Sequence, residues 1–365
     1  MHVSGEVVSF RIYDTGGEID LSKVKKIFGQ KPEQEKIEFE QLAPKYINIS
    51  PAPLFVNLKK RTTEIFGRKV ELSISARIYE VGAVSVILRI SFSEELKNLV
   101  DFSKPFKISG KDDKKFSDEI FAEIIKEIKS CISKSYEIET YPEEYMVFCV
   151  REPNMDGSAF LNKNRETIAG ILREEKNFSK LFSAEIRDAT RATLSYFKND
   201  LVIIDWSVGM IFDPTGKYED DLLTIELANL QLLELRTYDK LIDKKIESAY
   251  KDLKSLRGFG FLKPVNKVML EIAEMRMEMT RYIEDTMNIT KFFGDYYLAK
   301  LYDLLEERLH IDEWQKTVSK KLDNLDEIYE LAADRVDVQK STWLEVLIVL
   351  LIVFEIVLAL GGKLW

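Results

Sequence analysis

The side chains of this chain whose types and spacing could do chemistry are acidic ones gathered around one strand pair and the helix that follows it. Asp205 and Asp213 flank the strand pair, which ends in Asp-Pro, and Glu226, Asn229, Glu234, Arg236 and Asp239 come next on a Leu-rich helix. Glu226 and Asn229 are three residues apart, as are Arg236 and Asp239, so each pair shares a helix face. Oxygen donors of this kind suit a divalent cation, which makes Asp205 and Asp213 the metal candidates and a metal-dependent enzyme one reading. The competing reading is structural: polar residues in an apolar helix pair with interior partners and fix the register of the packing. No Gly-rich phosphate loop, Ser–His–Asp set or pair of His ligands is present, so no catalytic residue is named, no cofactor is expected and the expectation is a non-enzyme.

Composition narrows the classes further. The chain carries two histidines, His2 and His310, and two widely separated cysteines, Cys131 and Cys149. That excludes a zinc site built on Cys and His and a disulfide framework, and points to a reducing compartment. A net charge of -9 argues against gripping nucleic acid, and basic runs such as Lys59-Lys60-Arg61 are short. Arg257-Gly258-Phe259-Gly260-Phe261 matches the start of the RNP1 pattern of RNA-recognition sheets, but Pro264 stands where an aromatic is needed. It reads as a glycine-rich reversal between helices. The amino terminus shows no basic segment followed by an apolar core, so no secretory signal is expected.

The elements that must position the acidic residues follow from periodicity. Residues 6–13 alternate as a strand, and a short helix follows to Phe28. Residues 53–58, 70–79 and 84–92 read as strands, the last two joined by a hairpin turn at Glu80-Val81-Gly82-Ala83. Residues 116–132 carry one apolar helical face and 145–150 a buried strand. Residues 165–173 and 178–191 read as helical, and 193–197, 201–206 and 208–212 as paired strands. After the turn at Asp213-Pro214-Thr215-Gly216 the pattern becomes wholly helical, opening on Glu219-Asp220-Asp221, which suits the positive end of a helix dipole. One helix covers 222–250. A second carries Val268, Ile272, Met275, Met279, Tyr282, Thr286, Ile289 and Phe293, a coiled-coil-like seam that needs a partner. A last helix starts near His310. The fold class is thus α+β: a mixed α/β head over 1–213, an α-helical stalk over 214–342 and a terminal segment over 343–365.

That terminal segment, WLEVLIVLLIVFEIVLALGGKLW, is the most hydrophobic part of the chain. At about 1.5 Å per residue it spans roughly 34 Å, against about 30 Å for a hydrocarbon core, with Trp343 and Trp365 at the two interfaces. It is therefore expected to be a single-pass membrane anchor with the bulk of the chain in the cytoplasm. Glu355 would sit near mid-depth, where a carboxyl costs about 2.5–3.5 kcal/mol, and so would face other copies of the helix or a water-filled path, or be tolerated there as a neutral, protonated group.

The stretch LDNLDEIYELAADRVDVQKSTWLEVLIVLLIVFEIVLAL, 322–360, resembles the carboxyl-terminal end of the required-for-meiotic-nuclear-division family, and the block 197–246 is similar to prokaryotic membrane-anchored proteins with that tail. A His that the family often carries before its last Leu-Glu pair is absent from 339–342. The resemblance implies a membrane-tethered, oligomer-forming protein. The layout also resembles CorA-type channels, without their Gly-Met-Asn signature or second membrane helix. Together these readings predict a tail-anchored tethering or scaffolding protein. It would be a homo-oligomer held through the seam and Glu355, with a binding head for a protein partner and no nucleic acid. An oligomeric cation transporter using Glu355 and a metal-dependent enzyme are the alternatives.

Overall fold

In a computed structural model the chain is described over residues 1–29, 52–133, 141–151, 155–255, 276–277 and 296–361. Ten strands are described: β1 (His2–Asp14), β2 (Leu54–Ile65), β3 (Arg68–Tyr79), β4 (Ala83–Glu95), β5 (Lys107–Ile108), β6 (Lys111–Asp112), β7 (Glu143–Arg151), β8 (Thr193–Leu194), β9 (Leu201–Ile204) and β10 (Val208–Phe212). Eight form one sheet in the order β2-β3-β4-β1-β7-β10-β9-β8, and β5 pairs with β6 in a separate ribbon. All neighbours in the large sheet are antiparallel except β7 and β10. That parallel step requires a crossover, which the chain makes through α3 (Gly157–Leu172), α4 (Ser183–Ala189) and the β8–β9 strands.

Alternation along each strand sends side chains to two buried faces. Val7, Tyr13, Ile74, Val86, Phe148, Ile203 and Met210 join the main core with α1 (Leu21–Gly29), α2 (Asp113–Ile128) and α3. Val8, Phe10, Ile12, Ile87, Val147, Cys149, Val202 and Ile211 point to the other face and are equally buried. That second face is covered by α5 (Glu219–Ser255) and, at β8 and β9, by α6 (Tyr296–Leu309). A sheet buried on both sides explains why α5 is apolar almost all round over 222–235: one side meets the strands and another meets α6, where Tyr302 bonds to Gln231. α5 docks through a fork, Arg89 donating to both carboxylate oxygens of Glu219 at 2.6 and 2.5 Å. Gly5 is required where β1 meets β7, since a Cβ there would lie 1.9 Å from the Cys149 carbonyl oxygen.

α6 and α7 (Ile311–Gly361) are separated by one residue, His310, in the left-handed region at φ 55°. The chain divides into two compact units, Met1–Thr237 with Glu284–Gln315, and Tyr238–Ile283 with Lys316–Trp365. In the second unit Lys321 pairs with Asp239 at 2.6 Å and Asp243 at 2.8 Å, and Val318, Leu322 and Leu325 are buried.

The mixed α+β class holds, with a large sheet and carboxyl-terminal helices; the membrane anchor does not. Among the described residues no helix is long and apolar enough to cross a membrane. α7 is apolar without interruption only over the nine residues 346–354, between Glu345 and Glu355. At about 1.5 Å per residue that is roughly 14 Å, half of what a span needs. The expectation took the whole of 343–365 as one span and accepted Glu355 within it at a cost. The single-pass anchor, the tail-anchored description and the membrane localisation are overturned with it. Trp343 and Glu355 lie on α7, Glu355 exposed, and Trp365 lies outside the described residues. So do Val268, Ile272, Met275, Met279, Tyr282 and the 257–261 reversal.

Other expectations moved less. The 178–191 helix is a 3-10 turn at Phe178–Lys180 followed by the short α4. β2 runs to Ile65, well past Leu58, and turns at Phe66 and Gly67, both at positive φ, into β3. The Glu80–Ala83 hairpin is as expected, with Gly82 at φ 99°.

Candidate functional site

The site begins at an irregularity in the edge strand. Between Asn57 and Lys59 the pairing of β2 with β3 slips by one residue, a bulge that leaves Leu58 unpaired. Regular alternation would turn Leu58 and Lys59 to opposite faces; the bulge lets both, and Arg61 beyond them, border one cavity. This cavity, 440 Å³ in volume, lies between β2, β3, α1 and α2. Its apolar wall comes from Phe28, Leu58, Ile74, Phe116, Ile120 and Ile124. α2 reaches it because Asp112 caps its first turn, accepting from the Lys114 N–H at 3.1 Å, and because Phe116, Ile120 and Ile124 recur at helical spacing. The volume falls within the roughly 300–1,000 Å³ usual for small-molecule pockets.

Arg61 supplies the cavity's distinctive charge. Its guanidinium stacks over the Phe116 ring, 4.7 Å from the centroid, and its Nε and Nη2 are shut off from water with no acceptor. A buried donor left without a partner costs of order 1–3 kcal/mol, so a group that supplied acceptors there would be bound favourably. Of the other charges around it, Lys111 is held by Glu119 at 2.5 Å.

Most of the buried charged groups around α5 and the end of β9 pair with one another, Glu234 being the exception. Asp205, 1% exposed at the end of β9, meets Arg173 at 3.0 Å and Arg308 of α6, and accepts from the Trp206 N–H at 2.8 Å. Asp188 joins both arginines, at 2.5 and 3.1 Å, and the pairing holds its carboxyl below the usual range, Arg308 being the main cause. Tyr145 donates to the Asp205 carbonyl at 2.9 Å. Glu226, fully buried, pairs with Arg77 and accepts from the Tyr79 hydroxyl at 2.9 Å. Glu234 is buried with Oε1 unpartnered, and burial pushes its pKa well up. Asp221 is raised to about 8 by burial and by repulsion from Asp220, Asp200 and Asp213, partly offset by a hydrogen bond from Tyr297.

Residues 4–219 match the family described as the amino-terminal domain of the uncharacterized protein MJ0711. The chain belongs to that family. The MJ0711 protein of Methanocaldococcus jannaschii is 28% identical over 228 residues, 62% of this chain and 69% of the relative. No solved structure matches. The family segment contains the whole sheet, Arg61, Arg77, Arg173 and Asp205; Glu226, Arg236 and Arg308 fall beyond it.

The two metal candidates do not meet. Asp205 lies at the β9–β10 turn, bonded to Val208, and Asp213 at the far end of β10, five residues past Val208 and roughly 16 Å away at strand rise. Asp213 instead closes its own turn, accepting from the Thr215 and Lys217 N–H groups at 2.7 and 3.1 Å. Among the described residues no group of three or more His, Cys, Asp or Glu could hold a metal ion. The helix pairs separate too. Asn229 donates to the Ile225 carbonyl at 2.8 Å, Arg236 donates to Glu143 at 2.6 Å and stacks on Trp314, and Asp239 pairs with Lys321. Sequence reasoning missed Arg61, Arg77, Tyr79, Arg173 and Arg308. Helix α6 itself was within reach, because Leu298, Leu301, Leu305 and Leu309 mark it at helical spacing, but the pairing of its Arg308 was not. Both cysteines are free and buried.

Proposed function

We propose that the chain is a non-catalytic binding protein whose amino-terminal unit takes a small molecule into the cavity beside Arg61 and whose carboxyl-terminal helix associates with other copies, a scaffold with a ligand-reading head. The observation that carries the first half is the unpartnered Arg61 guanidinium in the wall of a cavity of ligand size. The buried Asp205 and Glu226 are tied to arginines, a use of charge that serves packing. Self-association is supported by α7, whose Leu347, Val349, Leu351, Val353 and Leu358 are all exposed in one copy, a run of apolar side chains of the kind that marks interaction sites.

Melting of the full-length protein against a set of small carboxylates, alcohols and amines tests the head. Stabilisation by one class, lost when Ile124→Trp fills the cavity, is the expected result; no stabilisation by any would refute the binding role. Light scattering of the purified chain tests association, and a monomer at micromolar concentration would remove it.

A further inference from the structure

We infer that the ligand of this cavity is a small amphiphilic monoanion: a single carboxylate bound by Arg61, with an apolar body lying against Phe116, Ile120 and Ile124. The inference rests on the binding role proposed above and gives it a chemical class. Three features of the cavity select this ligand. Arg61 offers a planar fork whose Nε and Nη2 have no acceptor among the described residues, and a carboxylate is the group whose two oxygens match such a fork. The guanidinium is parked on the face of Phe116, a contact that holds it at the cavity wall without using its donors. Turning about its side-chain torsions would present the fork to the cavity while the aliphatic stem stays packed.

The helix side of the same cavity carries both signs: Glu119, Glu123 and Glu127 line it with Lys126, and Glu119 is held by Lys111 at 2.5 Å. A phosphate dianion has no apolar body to lay against the wall, so it is disfavoured relative to an amphiphilic carboxylate. The apolar wall between the two charged rims rewards a body without further polar groups.

Binding of hexanoate, hexanol and inorganic phosphate to the full-length protein, measured by ligand-observed NMR titration, tests this. Hexanoate is expected to bind at least about tenfold more tightly than hexanol, the value of one good charge-assisted contact, with phosphate weaker than both. Arg61→Met should bring hexanoate down to the level of hexanol, and Arg61→Lys should recover part of the difference. Melting temperatures of the variants, matched to the parent, would show that they fold. If hexanoate and hexanol bind equally and both are lost in Ile124→Trp, the cavity is a binding site and the anion inference is overturned. If neither binds, or both survive Ile124→Trp and Ile120→Trp, the binding role falls with it.

Discussion

Arg77 and Arg61 stand on the two strands of one hairpin, β3 and β2, and their guanidinium groups meet opposite surroundings. Arg77 points to the face covered by α5, where Glu226 and Tyr79 complete a buried trio. Arg61 points to the face covered by α2 and has an aromatic ring beneath it but no acceptor. One face uses charge to lock a helix in register; the other leaves a charge unspent beside an empty volume. The difference separates polar residues that hold the fold from those available for recognition, a distinction residue type alone does not make.

The same substitution on the two faces should therefore have very different costs. Arg77→Met strands the Glu226 carboxylate in the interior and is expected to destabilise by about 3–5 kcal/mol in chemical denaturation. Adding Glu226→Leu should recover most of that loss; a double variant as unstable as the single one would mean the trio is not a closed unit. Asp205→Asn removes the charge that joins Arg173 and Arg308 and should cost about 1–3 kcal/mol, read the same way. Asp221 gives a pH-dependent effect. Its folded pKa of about 8 lies above the unfolded value of about 3.9, so the folded state holds the extra proton in between. Its contribution to stability is full below about pH 4 and is lost as pH rises toward 8. Asp221→Asn should flatten that decline and raise stability at pH 8 by up to several kcal/mol, with little change at pH 4. Arg61→Met should not destabilise, because it strands no partner and removes two buried donors that lack acceptors, a gain of up to about 1–3 kcal/mol less the stacking on Phe116. A loss as large as that of Arg77→Met would erase the contrast between the faces.

The sheet was largely legible because its strands bury both faces and alternate or run apolar: β1, β3, β4, β7, β9 and β10 all stand out in the sequence. β2 was cut short because residues 59–64 are Lys-Lys-Arg-Thr-Thr-Glu, the polar composition of an exposed edge strand, where pairing outlasts hydrophobicity. The bulge that assembles the cavity leaves no mark in residue types. The partners of Asp205 were out of reach for a different reason: they lie 32 and 103 residues away, and spacing along one helix says nothing of pairings made across layers. The same limit separated Arg236 from Asp239. In the terminal segment overall hydropathy misled, since Glu345 and Glu355 bound an apolar run of only nine residues.

The doubly covered sheet also bears on what counts as a domain here. The family match stops at residue 219, where α5 begins, yet α5 and α6 are what keep Val8, Phe10, Ile12, Val147 and Ile211 from water. A fragment trimmed at that boundary would present one side of the eight-stranded sheet as an uncovered apolar plate and should come out of expression insoluble. The stretch by which relatives are recognised and the stretch that folds are not the same. The compact unit that holds the sheet is discontinuous in sequence, and its helix α6 is supplied from some forty residues beyond the end of α5.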